Sequence, residues 1–431
     1  MSVTSHLDIN HLPQTDRLLS VLKKGIGFHH AGMIPVLKEI VEILYTQKII
    51  RILFTTETFA VGMNMPVKTA IFDDIEKHDG RSFRPLFARE FFQMAGRAGR
   101  RGIDDEGWVL VKNPIVTRDR KKHLEYILTE KSEPLKSQFS LSYNSILNMI
   151  EKYRIDEIKS ILERNFFQYQ NKQKVINKNL MPDCSYSMAQ EEFIHIKKSH
   201  FQKNDAPCIN CNKRKNCLKY IKHTRGFKEY IQTKSVRMSF SFFNEFMKKK
   251  EFLERLGYVN SEGLTSRGRF ATLIPSREIE ITELMSEGIF DEAGDAALAI
   301  IIAGLVTERR RRDSANKLKN PKVLYFIEKA ESILERVILK EKSIGYKSIE
   351  NLDTLFASPV YSWYNGADFS KVCRLAVCDE GDMIKLFRQV CDTLRHIKKA
   401  ADFPLFKSRI TSMIKIIRRD VVEASEYFSE D

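Results

Sequence analysis

The feature that most restricts the fold of this chain is a short apolar run, Ile49, Ile50, Ile52, Leu53 and Phe54, that stops abruptly at Thr55-Thr56-Glu57. A run of that length without polar alternation reads as a strand buried on both faces, as in a parallel sheet. Open α/β folds bind their ligands beyond the carboxyl ends of such strands, which makes Thr55, Thr56 and Glu57 candidate binding residues. About 30 residues further on, Glu90-Phe91-Phe92-Gln93 reads as a short helix running into Gly96-Arg97-Ala98-Gly99-Arg100-Arg101-Gly102. Glycines beside arginines let the backbone come close to a ligand while planar guanidinium forks meet phosphate oxygens.

The rest of residues 1–115 alternates helix and strand. Leu18 to Leu22 is helical, Gly25 to His29 a strand, and Pro35 to Tyr45 a helix with Leu37, Ile40, Val41 and Leu44 on one face. Strands at 49–54, Thr69–Phe72 and Trp108–Val111 follow, and alternation of this kind means βαβ units and a parallel sheet. Four strands are fewer than such a sheet normally has.

Composition narrows the function classes. With 431 residues, 43% hydrophobic and 29% charged, the chain has room for two to four ordinary globular domains. No apolar run is long enough to cross a bilayer and no signal-peptide core stands at the start, so no membrane role and a cytoplasmic (in a nucleated cell, also nuclear) location are expected. The net charge of +15 suggests a polyanionic partner.

Residues 116–170 are Lys- and Arg-rich and read as two or three amphipathic helices, and the pattern resumes at 235–275. There, Phe242 to Leu256 is a helix with Phe243, Phe246 and Phe252 inward. Leu256 to Arg269 reads as a β-hairpin wing feeding another helix. Between them, 171–234 is a polar insertion containing Cys184 and Cys208-x2-Cys211-x5-Cys217. Four thiolates at such spacing suit zinc, and the same spacing also suits a four-iron cluster or four unliganded thiols. From 276 to 431 the chain is helical, with one proline-bearing break near Ser358-Pro359, a buried helix at Ala296–Ala303 and an arginine run, Arg309 to Arg312. Asp379-Glu-Gly381-Asp382 is expected to cap a helix whose apolar stripe is Ile384, Phe387, Cys391, Leu394 and Ile397, with Asp382 at its positive end.

Taken together, Ile52 to Pro66, Gln93 to Gly102 and the upstream Gly25-Ile-Gly-Phe-His-His-Ala-Gly-Met-Ile-Pro35 resemble consecutive motifs of superfamily-two helicases, in particular the superkiller-type, exosome-linked DExH-box RNA helicases. The resemblance extends through Arg418-Arg-Asp-Val-Val-Glu-Ala-Ser425, which is similar to the last helix of that family. It implies an α/β part followed by a mainly α part: a partial RecA-like parallel sheet (1–115), a winged helix (116–170 and 235–275) with the cysteine-rich insertion (171–234), and a closing helical bundle (276–431). It implies that Gln93, Arg97 and Arg100 serve catalysis, Arg100 first among them as the arginine finger. Gly62, Asn64, Gly96 and Gly99 would border ATP and magnesium, and Thr55, Thr56, Glu57, His29 and His30 would grip RNA. Cys184, Cys208, Cys211 and Cys217 are the implied zinc or iron–sulfur ligands. Neither a phosphate-cradling Gly-x-x-x-x-Gly-Lys-Thr/Ser loop nor an Asp-Glu-x-His box occurs in the sequence. The chain is therefore expected to be the C-terminal part of a motor, inactive without a first half supplied in cis or in trans. A non-enzymatic nucleic-acid-binding module and part of a DNA repair helicase are the alternatives.

Overall fold

The computed structural model describes residues 12–57, 66–78, 82–100, 102, 104–112, 118–129, 135, 137–169 and 242–423. Gly62, Asn64 and the four cysteines of the insertion lie outside the described residues. The chain forms two compact units. One comprises 1–135, 283–338 and 349–431; the other comprises 136–282 and 339–348. The first 135 residues thus share a unit with most of the later helices.

In the first unit, α1 (Pro13–Leu22) and α2 (Pro35–Thr46) each begin on a proline, whose preset φ and missing N–H suit a first turn. They flank β1 (Ile26–His29), which pairs in parallel with β2 (Ile52–Thr55), Ile26 opposite Ile52 and His29 opposite Thr55. A second parallel pair joins β3 (Thr69–Phe72) to β6 (Trp108–Val111). Between these in sequence lie the hairpin β4 (Glu76–His78) and β5 (Phe83–Pro85) and the helix α3 (Ala88–Ala95). Then comes α4 (Arg118–Leu128). Phe72, Leu86, Phe91, Ala95 and Ile127 form a small core beneath this region.

The strand expected at 49–54 departs from its sequence reading in two ways. It starts at Ile52, after a turn through Lys48 at φ 62°, so that Ile50 is buried beside Gly27 while Ile49 is exposed. And it is not covered: Phe54 is 67% exposed, as are Ile71 (71%) on β3 and Trp108 (53%) on β6. Apolarity predicts burial only where a second layer exists. Among the described residues the strands pair two by two and do not merge into one sheet.

The second unit holds α5 (Tyr143–Lys152), α6 (Ile155–Glu163), α7 (Phe242–Arg255), a two-residue hairpin of β7 (Val259–Asn260) and β8 (Gly263–Leu264), and α8 (Ser266–Thr272). Ser142 and Thr265 cap α5 and α8, each hydroxyl accepting the N–H three residues on. Phe242, Phe246, Phe252 and Leu253 are buried on α7. Phe243, expected inward, is only half-buried, because the buried face follows 242, 246, 249 and 253.

The helices that follow are α9 (Glu278–Ser286), α10 (Ile289–Glu292), α11 (Asp295–Val306) and, after β9 (Ser314–Ala315), α12 (Pro321–Ser343). Beyond them lie α13 (Ala357–Tyr364), α14 (Phe369–Cys373), β10 (Ala376–Val377, antiparallel to β9), α15 (Glu380–Ala400) and α16 (Pro404–Ile417). Every residue of α11 from Ala297 to Leu305 is buried, packed between α13 and α15. The stripe Ile384, Phe387, Cys391, Leu394 and Ile397 of α15 faces this core. Pro359 does not break the chain. It sits in the first turn of α13, where a proline removes no helical hydrogen bond. The expected last helix at Arg418–Ser425 is, over its described part, a 3-10 turn at Asp420–Val422, entered through Asp420 at φ 51°.

Candidate functional site

Thr55, Thr56, Glu57 and Arg97 border one cavity of about 520 Å³, together with Lys77 and Met94. The cavity is lined by the carboxyl end of β2 and by β3 with the segment that follows it. Arg97 reaches it because the segment after α3 folds back on the chain before β3. Val67 N–H donates to Arg97 O (2.9 Å) and Gly99 N–H donates to Val67 O (2.7 Å). Gly99 turns at φ 88°, and a Cβ on Gly107 would lie 2.5 Å from Gly99 N, so this backbone crossing admits only glycine at both places. Gly96 ends α3 by donating to Phe92 O (2.8 Å). Gln93 is on the exposed face of that helix.

Arg100, the first choice for the finger on sequence grounds, is engaged elsewhere. Its Nε and Nη2 each lie 2.6 Å from the two oxygens of Asp104, and its backbone N–H donates to the same carboxylate. Hydrogen bonds from Arg100 outweigh desolvation and hold the Asp104 carboxyl down at about 2. The i,i+4 spacing of Arg100 and Asp104 was the available signal for this pair.

His29 and His30 part company with the cavity. His29 is buried at the end of β1, its Nε2 3.0 Å from Glu42 Oε1. His30 stacks on Phe28 and lines a separate cavity of about 470 Å³ with Gln14, Arg17 and Glu380. Burial, reinforced by nearby cations, pushes its pKa down. The segment that follows packs backbone to backbone on the start of α15. Gly381 N–H donates to Gly32 O (3.1 Å), and a Cβ on Gly381 would stand 2.3 Å from Met33 O. The buried Gln14 seals the contact: its amide donates to Gly32 O and accepts from Ile34 N–H. Asp379 and Asp382 at the head of α15 form no side-chain cap but share Arg310, at 2.8 Å each.

An ion network that no sequence spacing advertised runs beside the first cavity. Lys77 Nζ meets Glu57 Oε2 (2.7 Å) and Glu90 Oε1 (2.9 Å), while Arg84 forks onto both oxygens of Glu90 at 2.7 and 2.9 Å. Phe87 N–H donates to Glu90 Oε2 as well (2.9 Å). Burial raises the Glu90 carboxyl, but these donors prevail and bring it to about 2. An unfolded glutamate titrates near ~4.3, so the stabilisation is fully present above that pH and is lost as pH falls toward the folded value. The stability difference between the native chain and Glu90→Gln, followed by thermal unfolding, is expected to shrink steadily between about pH 5 and pH 2. A difference that stays constant over that range contradicts the assignment.

Among the described residues no group of three or more His, Cys, Asp and Glu is placed to hold a metal ion, and no helix is long and apolar enough to cross a membrane.

Residues 261–425 match the DSHCT (NUC185) domain family. The chain is 43% identical over 171 residues to "ATP-dependent RNA helicase mtr4" of Schizosaccharomyces pombe, covering 38% of this chain and 14% of that protein. It is 42% identical over 167 residues to the human "Exosome RNA helicase MTR4", covering 37% of this chain and 15% of the relative. With the human "Superkiller complex protein 2" it shares 42% over 163 residues, 37% of this chain and 12% of the relative. The matched stretch therefore spans only 12–15% of each relative's length.

Proposed function

Because the chain belongs to the superkiller-type DExH-box superfamily-two RNA helicases, as part of their C-terminal region, we propose that it supplies the second half of the nucleotide cleft and part of the RNA path of an ATP-driven motor. In this reading residues 1–115 are the later part of a RecA-like domain. The helices α5 to α8 with their hairpin are a winged helix that braces the motor, and the helices from 276 onward are the closing bundle.

The observation that carries the reading is the shared cavity of Thr55, Thr56, Glu57 and Arg97 at the carboxyl end of the parallel strand β2. ATP with magnesium, bound chiefly by a first half whose motifs this sequence lacks, would bring the phosphoryl group. Arg97 would neutralise its charge from this side. Arg97 lines that cavity and Arg100 does not, so Arg97 is the better finger. Threonine hydroxyls and exposed backbone amides hold phosphates without reading bases, which suits a translocating enzyme.

The chain alone is expected to bind oligouridine RNA in preference to the matching DNA, with affinity falling steeply as salt rises, and to leave ATP intact. Competition binding and a coupled ATPase assay check this. Equal binding of RNA and DNA favours a DNA-directed or non-specific module, and turnover by the isolated chain overturns the division of labour.

A further inference from the structure

Glu57 and Glu90 belong to the two segments that meet at the candidate site, and their carboxylates converge on one ammonium. Lys77 Nζ is 2.7 Å from the first and 2.9 Å from the second. We propose that Lys77 is a positioning residue that makes the Thr55–Glu57 segment and helix α3, with the Arg97 turn behind it, respond to a ligand as one body. The inference rests on the functional reading of those segments given above.

Three features support it. The first is like-charge geometry: two carboxylates drawn to one point repel each other as soon as the cation between them is removed. The second is asymmetry. Glu90 is held fast by the Arg84 fork, by Phe87 N–H and by Lys77, and its side chain is 17% exposed, whereas the Glu57 side chain is 45% exposed. One end of the bridge is therefore anchored in the first turn of α3, and the other sits on the rim where a ligand arrives. The third is placement. Lys77 stands in the middle of β4, which among the described residues pairs only with β5, so it lies on neither motif and joins them from the side. With a largely covered ammonium the attraction is screened less than in a surface pair.

The test uses the full chain, amide hydrogen exchange read by peptide, and oligouridine RNA as the probe. In the absence of RNA, Lys77→Met is expected to raise exchange of the peptides over 52–57 and 88–97 together by roughly tenfold, the factor that corresponds to ~1.4 kcal/mol. Peptides from α15 are expected to be unmoved, and Lys77→Arg, which keeps a cation between two carboxylates, is expected to restore both segments. With RNA, the native chain is expected to become protected in both segments. Lys77→Met is expected to become protected over 52–57 only. Loosening of one segment without the other, loosening throughout the chain, or failure of Lys77→Arg to rescue overturns the proposal. So does protection of both segments by RNA in Lys77→Met. Lack of RNA protection in the native chain refutes the functional reading instead, and the RNA-free arm then decides the linkage by itself.

Discussion

Replacement of Trp363 by alanine is expected to lower the stability of the first unit by about 3–5 kcal/mol, the range for a large aromatic removed from a packed core. Trp363 is 0% exposed. Its ring stacks on Phe387 at 5.2 Å between centroids and meets Phe369 edge-on at 5.9 Å. Its indole N–H donates to Ile417 O at 2.9 Å, tying α13 to the end of α16. Arg419 lies over the other face, its Cζ 3.6 Å from the ring, and its Nη2 donates to the carbonyls of Trp363 (2.7 Å) and Ala367 (3.0 Å). The substitution therefore opens a void, removes one of the two hydrogen bonds that Ile417 O accepts (the other is from Arg419 N–H, 3.1 Å) and removes the aromatic platform beneath a guanidinium. Trp363→Phe keeps a ring but loses the N–H, and should cost about 0.5–1.5 kcal/mol, the net worth of one hydrogen bond, because Ile417 O keeps its bond from Arg419 N–H. Urea unfolding followed by far-UV circular dichroism gives both numbers. A loss below ~1 kcal/mol for the alanine variant would show that the Trp363 cluster is not what joins α13, α15 and α16.

A comparable loss is expected in the second unit from Lys249→Met. Lys249 is 4% exposed, pairs with Glu245 (2.8 Å) and donates to Leu141 O (2.5 Å). Its ammonium also faces the rings of Tyr143 (5.3 Å) and Tyr346 (4.9 Å). Removing one partner of a buried pair leaves the other charge without compensation, which costs about 3–5 kcal/mol. The neighbouring groups are already committed. Tyr143 donates to the fully buried Glu341 (2.9 Å), which also accepts Ser348 N–H. Adding Glu245→Leu to Lys249→Met is expected to recover much of the loss, since a neutral apolar pair of similar volume carries no desolvation penalty. If the double variant is as unstable as the single one, packing rather than charge governs the site.

Elements whose signals are local were legible in the chain itself. Strands Thr69–Phe72 and Trp108–Val111 stand at the positions their apolar runs indicate, and so does the α15 stripe, because period and propensity act over neighbouring residues. The glycines after α3 were read as making room for a ligand, whereas what requires Gly99 is its φ of 88° and the crossing with Gly107, a constraint reached only after the backbone has folded back on itself. Inwardness was less legible. Phe243 and Phe242 are equally apolar neighbours, and only the phase of helix α7 against its neighbours chooses between them.

Residue identity alone thus determined the motif strings, the helix and strand segments and the supply of charged groups near them, since these follow from side-chain chemistry and short-range geometry. Tertiary structure decided the pairings. It buried His29 against Glu42, left Phe54 bare, and set Lys77 between Glu57 and Glu90. Electrostatic partnership depends on distances of a few ångströms between segments that are remote in sequence, and no residue spacing encodes those distances.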